Sequence, residues 1–245
     1  MQTEALQSYR SKGRLGMVRR GMLAGLPIML GYLPIALTYG VLASQTGLSN
    51  LEITLMSVLV FAGAAQFLAI GMVATGTGII EIIIATFVLN FRHFVMSLSF
   101  VNRLKTIALK AKIPLTLGLT DETFTVSALY RKEAKESYGS WFYASLILTA
   151  YASWVGGSFL GGVLGDVMPT RLSQSMGIAL YAMFIGLLIP SIKANLKIVF
   201  IAVLAMVVNF LCQMIGMNQG WAIVLGTIIG GASGIWLLQD EGGEE

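Results

Sequence analysis

Long apolar runs separated by short polar stretches fill almost the whole chain. Seven are long enough to cross a bilayer, at residues 22–44, 53–75, 79–101, 141–165, 174–192, 197–216 and 219–238. A helix rises about 1.5 Å per residue, so roughly 20 residues cover a hydrocarbon core of about 30 Å. An eighth run, 113–130, is short and carries Asp121 and Glu122 at its centre. The pattern predicts an all-α polytopic membrane protein of about eight transmembrane helices, seven clear and one short and polar. Basic residues decide the eighth. If 113–130 crosses and the N-terminus lies inside, ten Lys and Arg fall on the cytoplasmic side and five outside; if it does not cross, the split is six to nine. The positive-inside tendency favours eight spans with both termini cytoplasmic. In that scheme Arg103, Lys105, Lys110 and Lys112 lie on the outer side, against the tendency.

Composition agrees with a membrane chain. Of 245 residues 56% are hydrophobic and 11% charged, and mean hydropathy is +0.79; a soluble domain carries charge on roughly a quarter of its residues. Residues 1–20 form a basic cytoplasmic segment, 21–239 the transmembrane domain and 240–245 an acidic tail. Val41 and Ala43 would suit a signal cleavage site, but the run 22–44 is too long for a signal core and carries Pro27 and Pro34, so an uncleaved first span is expected, kinked or broken at its prolines. The net charge of +4 sits at the edges of apolar runs, where membrane orientation explains it and nucleic acid is not implied. The single cysteine, Cys212, has no pairing partner and no neighbours at metal spacing.

Gly157, Gly161 and Gly165 recur every four residues, as do Gly226, Gly230 and Gly234. Such ladders let helices approach closely in lipid, either within the chain or against another subunit. Gly40-Val41-Leu42 is echoed by Gly162-Val163-Leu164, and Val88 to Phe91 by Val207 to Phe210, at offsets of 122 and 119. Similar offsets point to a duplicated unit, parallel with eight spans and inverted with seven.

Polar groups inside apolar runs are the best clue to function. Arg92 and His93, the only histidine, fall near the middle of 79–101. Insertion scales penalise an arginine at mid-depth by about 2.5–3.5 kcal/mol, so such a residue faces a polar cavity or a partner charge. Asn90 and His93 share a helical face that Arg92 does not, so either Arg92 points to a different neighbour or the backbone is irregular around Asn90. Asp121 and Glu122 diverge by about 100° on a helix, so at most one of them pairs easily with Arg92. Such a bridge can be a structural lock, or it can receive a zwitterion, with arginine suited to a carboxylate and an acid to an ammonium. Gln66, beside the small residues of FAGAAQF, serves either as packing glue or as a solute contact; Asn209 and Gln213 also need partners. The candidate solute-binding residues are thus Gln66, Asn90, Arg92, His93, Asp121 and Glu122.

The chain lacks HExxH, P-loop and GxSxG patterns, so no catalytic, metal or cofactor site is expected. GYLPIALTYGVLASQTGLSNLEITLMSVLVFAGAAQF, then LNFRH and LTDETF, resembles the AzlC family of branched-chain amino acid exporters, with specific motifs from Gly21 to Phe124 and a looser likeness beyond. Ala36 and Thr38 depart mildly from its first-span motif. The resemblance implies the large permease subunit of a two-component exporter in a bacterial-type cytoplasmic membrane. Its partner would be a small four-span AzlD-type membrane protein, and its solutes valine, leucine, isoleucine and analogues. Family positions map onto Phe61 to Phe67, Asn90, Arg92, His93, Asp121 and Glu122. A non-transporting scaffold and an intramembrane enzyme are the alternatives.

Overall fold

The computed structural model describes residues 13–238 apart from 105, 106, 166 and most of 170–194. The expected span 174–192 therefore lies largely outside the described residues, as do 1–12 and the tail. The described chain is helical: α1 (Arg14–Gln45), α2 (Asn50–Leu59), α3 (Gly63–Ala74), α4 (Ile79–Arg103), α5 (Leu109–Leu117), α6 (Asp121–Leu129), a 3₁₀ turn (Arg131–Lys135), α7 (Gly139–Gly165), α8 (Lys197–Met214) and α9 (Gln219–Leu238). Five helices, α1, α4, α7, α8 and α9, are long and apolar enough to cross a membrane.

The axis of the bundle is a seam between α1 and α7, which run parallel and in register. A Cβ on Gly21 would meet Ser145 Oγ at 2.1 Å, one on Gly40 would meet Ser158 O at 2.2 Å, and one on Gly161 would meet Leu37 O at 2.2 Å. Only glycine allows backbones this close. Pro27 and Pro34 sit inside α1 without breaking it; Thr38 Oγ1 donates to the Pro34 carbonyl at 2.8 Å. Both glycine ladders face inward. Gly157, Gly161 and Gly165 meet α1, and Gly226, Gly230 and Gly234 meet α8, so neither is a free docking stripe.

Two expected spans are corrected. Residues 53–75 and 113–130 are each a pair of short helices that enters the bundle and returns. The ten-residue α2 is about 15 Å long, half a hydrocarbon core. Met56 on α2 and Phe67 on α3 both touch Tyr39, whose hydroxyl reaches Met56 Sδ at 3.5 Å and whose ring lies 5.7 Å from Phe67. Phe61, between them, lies 6.2 Å from Tyr32, two turns back along α1. The chain has doubled back. The second hairpin does the same from the opposite end: α4 finishes with Phe100 5.6 Å from Tyr143, and α6 finishes with the Tyr130 carbonyl accepting from Tyr143 Oη at 2.9 Å. Hydropathy misses the reversal because it counts apolar residues and is blind to direction. The returning path also relocates the basic residues. Arg103 and the first turns of α5, with Lys110 and Lys112, share an end with the start of α1 and with the 3₁₀ turn, while the connections 46–49, 75–78 and 215–218 carry no Lys or Arg.

A helix plus a re-entrant hairpin thus occurs twice, inverted. α2 and α5 begin 59 residues apart, at Asn50 and Leu109, and α3 and α6 begin 58 apart, at Gly63 and Asp121. The longer echo does not mark one duplicated unit: α1 and α7, which carry the first match, run parallel, whereas α4 and α8, which carry the second, run in opposite directions.

Candidate functional site

The two hairpin tips meet at mid-bundle between α1, α4 and α7. At the first tip Val60 and Ala62 are extended, with φ/ψ of −125°/82° and −147°/79°. Gly63 is required there, since a Cβ would lie 2.5 Å from the Trp154 ring. At the second tip a Cβ on Gly118 would lie 2.5 Å from the Ile147 side chain, and Thr120 caps α6 through a reciprocal bond pair with Thr123. Both half-helices therefore aim their N-termini, the positive ends of their dipoles, at one place. Their capping differs. α6 carries Asp121 and Glu122 in its first turn, whereas α3 has no side-chain cap and its first intrahelical donor is Gln66 N–H, to the Ala62 carbonyl at 3.0 Å.

Between the tips lies a cavity of about 30 Å³, lined by Tyr32 of α1, Phe61 to Ala64 of the first tip, Arg92 and His93 of α4, Thr120 to Glu122 of the second tip, and Trp154 of α7. Arg92 Nη1 donates to Asp121 Oδ2 at 2.9 Å, both side chains being about one-third exposed. The bond uses one nitrogen, and the buried Arg92 Nε has no acceptor. The other acid has a different partner. The Tyr32 hydroxyl reaches Thr120 Oγ1 at 2.7 Å and a carboxylate oxygen of Glu122, and its single proton goes to the stronger acceptor, the carboxylate.

Of the sequence-derived candidates, Arg92, His93, Asp121 and Glu122 are brought together. Gln66 and Asn90 do not line the cavity. Gln66, fully buried, is held within the protein: its Nε2 donates to Ser57 Oγ at 2.9 Å and its Oε1 accepts from Trp154 Nε1 at 2.7 Å, while Ser57 donates to Ser158 at 2.8 Å. It ties the first hairpin to α7 and fixes the Trp154 ring. Asn90 sits one turn from His93 with its Oδ1 buried and unpartnered. α4 is regular here, so Arg92 and His93 straddle the cavity from adjacent positions and Asn90 falls to one side. Asn209 accepts from Gln213 at 2.6 Å on an exposed face of α8. Tyr32, Thr120 and Trp154 were not singled out from sequence. The available signal was a tyrosine and a tryptophan at mid-span, away from the interfacial belts these residues prefer.

Among the described residues no group of three or more His, Cys, Asp or Glu side chains could hold a metal ion. Phe61 separates the polar cavity from a larger apolar one of about 630 Å³, bounded by α2, α5 and α7 with Tyr151, Pro114 and Ile147 in its wall.

A family model described as AzlC protein matches residues 27–168, a stretch that includes every residue lining the polar cavity. The chain belongs to the AzlC family. A relative from Archaeoglobus fulgidus, named an uncharacterized membrane protein, is 33% identical over 187 residues, covering 76% of this chain and 80% of its own. The inner membrane protein YgaZ of Escherichia coli is 27% identical, covering 69% and 70%. The branched-chain amino acid transport protein AzlC of Bacillus subtilis is 26% identical, covering 67% and 63%. No solved structure matches the chain.

Proposed function

We propose that the protein exports branched-chain aliphatic amino acids across the cytoplasmic membrane, as the large subunit working with a small four-span AzlD-type partner. One observation carries the site: groups of both signs converge on a single cavity between two opposed hairpin tips. Arg92 and the uncapped N-terminus of α3 suit a carboxylate, and Asp121 with Glu122 suits an ammonium. The name of the Bacillus subtilis relative supports the substrate class.

The cavity of about 30 Å³ is too small for an amino acid, so the tips are closed over an internal ion pair. An incoming carboxylate takes the Arg92 donors, and Asp121 is released to the ammonium. That exchange unlatches the second hairpin from α4, which makes loading and movement one event. The aliphatic side chain exceeds the polar cavity and extends past Phe61 into the apolar one. Because the hairpins enter from opposite ends, opening α5–α6 exposes the site to the basic end, taken as cytoplasmic, and opening α2–α3 exposes it to the other. An ion or proton gradient supplies the drive, with His93 as a candidate relay.

The test is counterflow of labelled valine into proteoliposomes holding the chain with and without its partner. Flux that needs the partner, saturates, and is competed by leucine and isoleucine is expected. Absence of flux with the partner present would leave a scaffold, and chemically altered valine an enzyme.

A further inference from the structure

A second cavity, of about 340 Å³, opens at the basic end of the bundle. Its floor is apolar and fully buried: Phe100 and Leu104 at the end of α4 and Tyr143 of α7 are 2%, 1% and 1% exposed. Its rim holds Arg131, Lys132 and Lys135 of the 3₁₀ turn. Ser127 of α6 also lines it, is 3% exposed, and its Oγ has no hydrogen-bond partner. A buried hydroxyl without a partner is unusual and costs roughly 1–3 kcal/mol of desolvation. The nearest buried carboxylate is not free to answer the cations. Glu133 accepts from Arg20 Nη1 and Nη2 at 3.0 and 2.5 Å, a two-point bond that pins the start of α1 to the turn. Neither described ion pair involves Arg131, Lys132 or Lys135.

Three cations without an ion-pair partner among the described residues, one spare hydroxyl donor and an apolar floor describe a receptor for a phosphate group with a hydrocarbon attachment. The cavity lies where α4 and α6 end and α7 begins, the level at which lipid headgroups meet transmembrane helices, and basic pockets between helices at that level suit anionic headgroups. We infer that this cavity binds the phosphate of an anionic phospholipid, with Arg131, Lys132 and Lys135 holding the charge, Ser127 donating to a phosphate oxygen, and Phe100, Leu104 and Tyr143 bedding the glycerol and upper acyl chain. The site adjoins the C-terminal end of α6, so its occupant would steady the mouth of the second hairpin.

The full-length chain in neutral detergent, titrated with short-chain phosphatidylglycerol while thermal unfolding is followed, tests this. A saturable rise in melting temperature is expected, with none from phosphatidylcholine of the same chain length. Arg131→Gln/Lys132→Gln/Lys135→Gln should raise the half-saturating concentration at least about tenfold, and Ser127→Ala roughly tenfold or somewhat less, the size of one hydrogen bond to a charged group. Lys110→Gln/Lys112→Gln removes charge from the same end outside the cavity and should leave the titration unchanged. Equal stabilisation by phosphatidylcholine, or equal losses in the Lys110/Lys112 variant and the triple variant, overturns the site in favour of a detergent-like or diffuse charge effect. Stabilisation by inorganic phosphate equal to that by phosphatidylglycerol overturns the lipid as the source of the phosphate.

Discussion

Arg92 holds Asp121 through one nitrogen and keeps Nε in reserve, so its planar fork matters as well as its charge. Arg92→Lys retains the charge and loses the second donor. Valine flux at matched expression should fall by about tenfold or more, the size of a lost charge-assisted bond; unchanged flux would remove Arg92 from the solute site. Glu122 is engaged by Tyr32 rather than Arg92, which makes the two acids separable. In double-mutant cycles on thermal stability, Arg92→Gln with Asp121→Asn should be non-additive by about 0.5 kcal/mol or more, toward the low end because the pair is part-exposed, while Arg92→Gln with Glu122→Gln should add within a few tenths. Equal coupling to both acids would contradict the geometry. That one acid only would answer Arg92 was legible from their helical angle, but which one was not, because that depends on where the second tip halts and α6 begins.

At the level of elements, the glycines of the α1–α7 seam are close-approach positions, and their cost is a matter of backbone clash. Gly40→Val and Gly161→Val push a side chain into backbone atoms of the opposite helix, so each should lower the melting temperature sharply and reduce yield, with a cost of about 1–3 kcal/mol or more. Gly78→Ala, with nothing within 4 Å of the new Cβ, should be nearly neutral. If Gly161→Val kept full stability and lost only a partner subunit, the ladder would face outward after all. The ladders were visible as a spacing; whether their neighbour is this chain or another is a fact of tertiary packing.

For the whole molecule, the two re-entrant hairpins make a sharp topological claim. In a Cys212→Ser background, Ala108→Cys before α5 and Lys132→Cys after α6 should be labelled by a membrane-impermeant maleimide from the same side, and Thr77→Cys from the opposite one. Labelling of positions 108 and 132 from opposite sides would restore a crossing at 113–130. The hairpin topology also accounts for the basic residues at 103–112, which an eight-crossing scheme leaves on the wrong side.

Composition and the spacing of apolar runs suffice for an all-helical membrane protein, for its long crossing helices, and for the polar residues that hydrocarbon would reject: these follow from transfer free energy, which is a sum over residues. The motifs carried the family. Direction is not a sum over residues. A largely apolar stretch of 23 residues such as 53–75 reads alike whether it crosses or turns at Phe61, and contacts such as those of Met56 and Phe67 with the same Tyr39 side chain distinguish the two. Tertiary structure likewise decided that Gln66 is spent on Ser57 and Trp154 while Tyr32 and Thr120 face the cavity. A side chain's partner is chosen by the elements that fold against it, which lie 88 residues away in the Trp154–Gln66 and Tyr32–Thr120 pairs.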